Sequence, residues 1–69
     1  MTEGQTVTDI AEITAPWNKQ VTVQAIDHDG GMGFLRLRIK EGKRFTDLEL
    51  DPDTARRLTD IIQDWVESR

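Results

Sequence analysis

Residues Phe34–Leu50 read FLRLRIKEGKRFTDLEL, and this stretch decides the fold. Its first half alternates leucine or isoleucine with arginine or lysine, and its second half alternates leucine with aspartate or glutamate. Successive side chains of a β-strand point to opposite faces of the sheet, so each half predicts a strand with one apolar and one charged face. Gly42-Lys43 lies between the halves and predicts a two-residue turn with glycine at its first position.

This turn fixes which residues of the two strands lie opposite each other. On the apolar face it pairs Leu37 with Leu48. On the charged face it pairs Arg38 with Asp47, so opposite charges meet. Moving the turn back by one residue sets two lysines against each other, and we therefore predict the Gly42-Lys43 register.

A third strand is predicted before this hairpin. Gln20–Asp27 alternates with period two and is followed by the turn-forming cluster Asp29–Gly31. A three-residue loop ending in glycine supplies the left-handed residue that such a loop needs. It pairs Val23 with Leu37 and keeps the apolar residues of both strands on one face.

The region before Gln20 has a weaker pattern. Thr6–Ala15 is either an edge strand or an extended segment that covers the sheet, and the sequence leaves both open. Pro16–Lys19 predicts a turn, because proline fixes φ and asparagine tolerates turn geometry. We expect residues 1–5 to be a disordered N-terminus and residues 6–69 to form a single α+β domain.

The C-terminal region predicts one helix, near Pro52–Glu67. Asp51 is a favourable N-cap residue and Pro52 suits the first helical position. Apolar residues then recur at spacings of three and four, which is typical of an amphipathic helix. The predicted fold is α+β: an antiparallel meander of three to four strands packed on one C-terminal amphipathic helix. The residues expected to be largely buried are Val21, Val23, Leu35, Leu37, Ile39, Leu48, Leu50, Leu58, Ile61, Ile62 and Trp65.

Composition limits the functions open to this chain. It has 69 residues, no cysteine and one histidine, with a net charge of −4. An acidic balance disfavours general binding to nucleic acid or to an anionic membrane surface. There is no apolar run near the roughly 20 residues of a membrane span, and the N-terminus lacks the pattern of a secretory signal. We therefore expect a cytoplasmic location and no membrane partner.

Catalytic and metal-binding patterns are incomplete. The cluster Asp27–Asp29, with His28 at its centre, lacks the further ligands of a metal site and fits turn chemistry instead. Gly30–Gly33 lacks the lysine and hydroxyl residue of a phosphate-binding loop. A domain this small also has little room for a pocket of about 300 Å³ or more. We predict that the protein is not an enzyme and has no catalytic residue, cofactor or metal.

Apolar and basic residues on the charged face indicate an interaction surface. The alternation of the strands places three large apolar side chains on this face, beside two arginines. A tryptophan lies in the turn that precedes Gln20. Aromatic residues and arginine are enriched at protein interfaces. The predicted surface consists of Trp17, Ile26, Phe34, Arg36, Arg38 and Phe45. The leading hypothesis is a non-enzymatic interaction module, whose partner is a second copy of the chain or another protein. The alternative is a module that binds single-stranded nucleic acid through the same arginine, lysine and phenylalanine side chains.

The chain also resembles a known group of proteins. The residues that carry the resemblance are Ala15–Trp17, Leu35–Ile39 and Phe45–Pro52. They are similar to short bacterial proteins grouped as a domain of unknown function, and this resemblance implies no activity or cofactor. The order of strands followed by a helix is also similar to the transcriptional coactivator family that binds single-stranded DNA through a curved sheet.

Overall fold

The sheet is an antiparallel meander that precedes one helix. The computed structural model describes residues 4–69. Within that range the strands follow the order β1-β2-β3-β4, and α1 comes after the last of them. The elements are β1 Gln5–Ala15, β2 Lys19–His28, β3 Gly33–Glu41, β4 Arg44–Leu50 and α1 Pro52–Glu67. The predicted α+β class is confirmed, with four strands in the meander.

Both predicted hairpin registers are confirmed. Leu37 lies opposite Leu48, and Arg38 lies opposite Asp47. In the other hairpin Val23 lies opposite Leu37. Gly42 has a φ of 61°, the conformation that the first position of this tight turn requires and that glycine adopts without steric cost.

The region before Gln20 is an edge strand, which decides between the two alternatives that the sequence left open. β1 pairs with β2, with Val7 opposite Ile26 and an irregularity between Asp9 and Ala11. The strand begins at Gln5, inside the segment predicted to be disordered. Residues 1–3 of that segment lie outside the described residues.

The core is much smaller than predicted. Among the described residues, the buried apolar side chains are Ile26, at 1% exposure, and Leu50, at 7%. The predicted core residues that are instead exposed are Leu48, Ile61, Ile62 and Trp65. The remaining predicted core residues, apart from Leu50, are partly covered.

The position of the helix explains this difference. α1 approaches β3 and β4 but neither β1 nor β2 within the described part of the chain. Ala55 and Leu58, near its start, are partly covered, and every residue from Thr59 to Arg69 is exposed. The amphipathic pattern therefore forms the predicted helix, but the helix does not cover the sheet.

The start of the helix also departs from the expected capping. The backbone N–H of Ala55 donates to the Asp51 carbonyl at 2.9 Å, as in a regular first turn. The Asp51 side chain makes no capping hydrogen bond. The Thr54 side chain, a hydrogen-bonding neighbour, nevertheless lowers the pKa of the Asp51 carboxyl. The lowered pKa favours the ionised Asp51 carboxylate at the helix N-terminus, where the helix dipole favours negative charge.

Candidate interaction surface

One face of the sheet carries most of the predicted site, and we call it the charged face. Residues opposite each other in antiparallel strands share a face. Pairing of Ile26 with Phe34, Arg36 with Glu49 and Lys40 with Phe45 therefore places these side chains together. The charged face includes Val7, Asp9, Gln20, Thr22, Gln24, Ile26, Phe34, Arg36, Arg38, Lys40, Phe45, Asp47 and Glu49. The placement of this surface opposite the helix stays a prediction.

A row of polar contacts crosses all four strands on this face. Arg36 donates to Glu49 Oε2 from Nε at 3.2 Å and from Nη2 at 3.1 Å. Its Nη1 donates to Gln24 Oε1 at 3.4 Å, and Gln24 Nε2 donates to Asp9 Oδ1 at 2.8 Å. The Arg36 side chain is only 17% exposed. The Arg36 side chain therefore stabilises the strand register, and little of its surface is accessible to a partner.

Arg38 is held differently, by an aromatic ring. Its guanidinium carbon lies 4.8 Å from the centre of the Phe45 ring, within the range of a cation–π contact. Its Nε is 3.6 Å from Asp47 Oδ1, within ion-pair distance but too long for a hydrogen bond, and this buried nitrogen has no hydrogen-bond partner among residues 4–69. Lys40 Nζ lies 6.0 Å from the same ring. Two cationic side chains therefore lie near the Phe45 ring, and Phe45 is still 53% exposed to solvent.

At the other end of the charged face, the apolar side chains of Ile26 and Phe34 are largely covered. Ile26 is almost fully buried, so in this arrangement its side chain presents almost no surface to a partner. Phe34 is partly covered and packs edge-to-face against His28, with ring centres 5.7 Å apart. Ile26 and Phe34 therefore act as a local apolar cluster of the sheet.

Trp17 lies in the loop that joins β1 and β2 and is 86% exposed. Its φ is 61°, and that of Asn18 is 60°. Asparagine tolerates this left-handed region, whereas a bulky side chain is rarely found there. The loop therefore presents an indole ring to solvent at a conformational cost.

A shallow depression adjoins this loop. It has a volume of about 380 Å³ and is lined by Thr14, Asn18, Gln20, Lys40 and Gly42. This volume exceeds the roughly 300 Å³ for which little room was expected, but the depression is open to solvent and not an enclosed pocket. The lining offers a hydroxyl, two amides and an amine, but no carboxylate or imidazole for acid–base chemistry.

Residues 4–69 contain neither a cluster of metal ligands nor a helix that could span a membrane. No three histidine, aspartate or glutamate side chains in this range come together as metal ligands would. In the same range, α1 is too short and too polar to span a bilayer.

Comparison with known proteins identifies a family. The model described as "Family of unknown function (DUF6967)" matches residues 4–68. The chain belongs to this family. No curated protein and no solved structure matches the chain significantly. The DUF6967 match covers all four strands and the helix, so both faces of the sheet belong to the family domain. It confirms the resemblance to a domain of unknown function and assigns no activity.

The role of Gln24 was not predicted from the sequence. Gln24 joins Arg36 to Asp9 and thereby extends the polar row to the edge strand. The signal was present, because period two places Gln24 on the same face as Arg36 once their register is known. The left-handed conformation of Trp17 had no such signal, since a turn containing proline and asparagine can form without it.

Proposed function

We propose that this member of the DUF6967 family is a non-enzymatic protein-interaction module that binds its partner through one end of the sheet. This end, the loop end, consists of the β1–β2 loop, the β3–β4 turn, and the side chains of Trp17, Lys40 and Phe45. The observation that carries the proposal is Trp17, 86% exposed at a φ of 61°. Tryptophan is one of the three residue types enriched among side chains that dominate binding energy.

The conformation of Trp17 supports a binding role. A left-handed residue that is not glycine costs roughly 1–3 kcal/mol and tends to occur at functional sites. The Trp17 side chain recovers little of this cost by packing, because most of it is in solvent. Insertion into a pocket of a partner would bury the ring without first ordering the loop.

The charges around Trp17 indicate the chemistry of the partner. Lys40 lies on the charged face at this end, Lys43 lies in the β3–β4 turn, and Arg44 begins β4. Lys19 is paired with Glu41 at 2.9 Å and is thereby neutralised. The partner that fits is a protein with an apolar pocket bordered by aspartate or glutamate, although the chain itself has a net charge of −4.

Two further expectations from the sequence accompany this function. The protein is not an enzyme, and the lining of the depression, without carboxylate or imidazole, supports this. Its location is the cytoplasm, and a chain without cysteine does not need an oxidising compartment to fold.

Site-specific photocrosslinking in the source cell tests the proposal. A photoreactive amino acid replaces Trp17 or Phe45 in the full chain, and the control position is Met32, an exposed apolar residue in the β2–β3 loop at the opposite end of the sheet. We expect a crosslinked second protein from the first two positions and none from Met32. The same product from all three positions, or none from any, would show that the loop end is not a binding surface.

A second candidate is the binding of single-stranded nucleic acid. It is favoured by the arrangement of Arg38 and Lys40 around the exposed Phe45 ring, because such surfaces combine cations with an aromatic platform on which bases stack. The measurement is fluorescence anisotropy with a labelled single-stranded oligonucleotide. Binding that is lost in Phe45→Ala and retained in Trp17→Ala would support this candidate over the first.

A further inference from the structure

A second apolar surface remains without a partner. The sheet face opposite the charged face, which we call the apolar face, carries Ile13, Val21, Val23, Leu37, Ile39 and Leu48. Ile13 and Leu48 are exposed, and the others are only partly covered. The apolar stripe of α1 is exposed over the C-terminal part of the helix, at Ile61, Ile62, Trp65 and Val66. Each surface has the chemistry that the other needs.

The total surface area shows how much is left uncovered. A folded monomer of 7.9 kDa is expected to expose about 4,400 Å². This chain exposes 5744 Å². Its radius of gyration is 13.9 Å, whereas about 11 Å is expected for a folded domain of this length. The chain is flat, at 46 × 30 × 15 Å, and has an excess of roughly 1,300 Å² of surface over a compact monomer.

We propose that two copies of this chain form a symmetric pair in which the apolar stripe of each α1 packs on the apolar face of the other copy. Covering the excess on both copies would bury roughly 2,600 Å² in total, which is within the range of obligate homodimers. One chain contains both complementary surfaces, and a two-fold axis satisfies both contacts at once.

The connection between β4 and α1 favours a second copy over closure on the same sheet. β4 ends at Leu50 and α1 begins at Pro52, so Asp51 alone joins them. Asp51 is extended, with φ −74° and ψ 167°, and Pro52 restricts it to such conformations. With so short a connection, α1 contacts β3 and β4 but no other strand within residues 4–69, and most of the apolar face remains open to another helix. This pairing uses neither Trp17 nor Phe45 and is independent of the proposed function.

Sedimentation of the full chain over a range of concentrations is the first test. We expect a dimer, and we expect Trp65→Ser to raise its dissociation constant at least about thirty-fold, as for a central interface residue. The matched control is Trp17→Ser, which removes the only other tryptophan and should leave the dimer unchanged. A parent chain that is monomeric at every concentration overturns the proposal.

Cysteine crosslinking tests the geometry and does not depend on a stable monomer. The chain has no cysteine, so each introduced thiol is unique. Chains carrying Ile62→Cys are mixed with chains carrying Val23→Cys and oxidised. We expect a mixed disulfide between them. The control is Thr22→Cys, one residue away and on the charged face opposite Arg38, which should give none.

Two crosslinking outcomes contradict the pairing. Equal crosslinking from Thr22→Cys and Val23→Cys would show random collision. A chain carrying Ile62→Cys and Val23→Cys together that closes an internal disulfide, with no mixed product between the single-cysteine chains, would show that α1 folds onto its own sheet.

Discussion

At the scale of single residues, the structure of the loop end depends on backbone conformation at two positions and on one surface ion pair. Gly42 occupies a positive φ that glycine adopts freely, whereas Trp17 occupies one that its side chain disfavours. Lys19 and Glu41 pair across β2 and β3 just below the loops. These features can be tested independently because the residues act locally.

Replacing Trp17 separates conformational cost from binding. Trp17→Gly should be more stable than Trp17→Ala by about 1 kcal/mol, since glycine adopts a φ of 61° without steric conflict and alanine does not. Urea unfolding of the two variants measures the difference. Equal stabilities would show that the loop does not hold a left-handed conformation at residue 17. Both variants should lose the partner bound through Trp17.

The Glu41 pKa provides a second test at this scale. The Lys19 side chain lowers it from its ordinary value by hydrogen bonding, and Arg44 adds a smaller effect through its charge. Because the folded-state pKa of Glu41 is depressed, the pair stabilises the fold above the unfolded-state pKa. This contribution is lost as the pH falls through the folded-state pKa.

NMR titration of the Glu41 carboxyl measures this shift directly. Lys19→Met should raise the Glu41 pKa towards its ordinary value, and the control Arg44→Met should raise it less. A larger change in the Arg44 variant would show that the Lys19–Glu41 contact at 2.9 Å does not persist in solution.

At the scale of elements, the sequence predicts pairing well and packing poorly. The alternation of apolar and polar residues predicted both hairpin registers. A shift of one residue would have placed Leu37 opposite polar residues and Arg38 opposite apolar ones. The bounds of α1 followed from Pro52 and the spacing of its apolar residues. The same spacing states only that the stripe around Trp65 prefers an apolar neighbour. It does not state which surface, or which copy of the chain, supplies that neighbour.

The candidate site shows the same division. The alternation of side chains along β3 and β4 correctly predicted that Phe45 and Arg38 lie on the same face, because the register of one hairpin determines both positions. Alternation could not show that Ile26 is buried between its cross-strand neighbours, Val7 and Phe34, because burial depends on what covers a face.

The burial of Ile26 leads to a prediction at this scale. Ile26→Ala should lower the free energy of unfolding by about 2–5 kcal/mol, because the residue is fully enclosed and leaves a cavity. Val7→Ala, directly across the strands but exposed, should cost much less. Urea unfolding of both variants measures the difference. Similar losses would mean that the Ile26 side chain is not enclosed as described.

At the scale of the whole molecule, the two sides of the sheet are expected to bind their partners through different interactions, electrostatic on one side and apolar on the other. The charged face and loop end present cations around an exposed aromatic ring. The apolar face and the stripe of α1 present mainly apolar side chains, with the Arg69 guanidinium 4.6 Å from the centre of the Trp65 ring, and belong to a chain with a net charge of −4. Association through the apolar surfaces therefore brings two like-charged molecules together, whereas a nucleic acid or an acidic partner at the loop end meets opposite charge.

The two surfaces should consequently differ in their response to salt. Between about 50 and 200 mM salt, self-association should hold or strengthen, because screening reduces the repulsion between two chains of −4 while the apolar contact is unaffected. An oligonucleotide held by three phosphate contacts should bind about twenty-fold more weakly over the same interval, because counterions are released on binding. Sedimentation measures the first response and fluorescence anisotropy the second, on the same preparation. Self-association that weakens steeply with salt would mean that ion pairs hold the two copies together, and pairing through Trp65 and the apolar face would then be wrong.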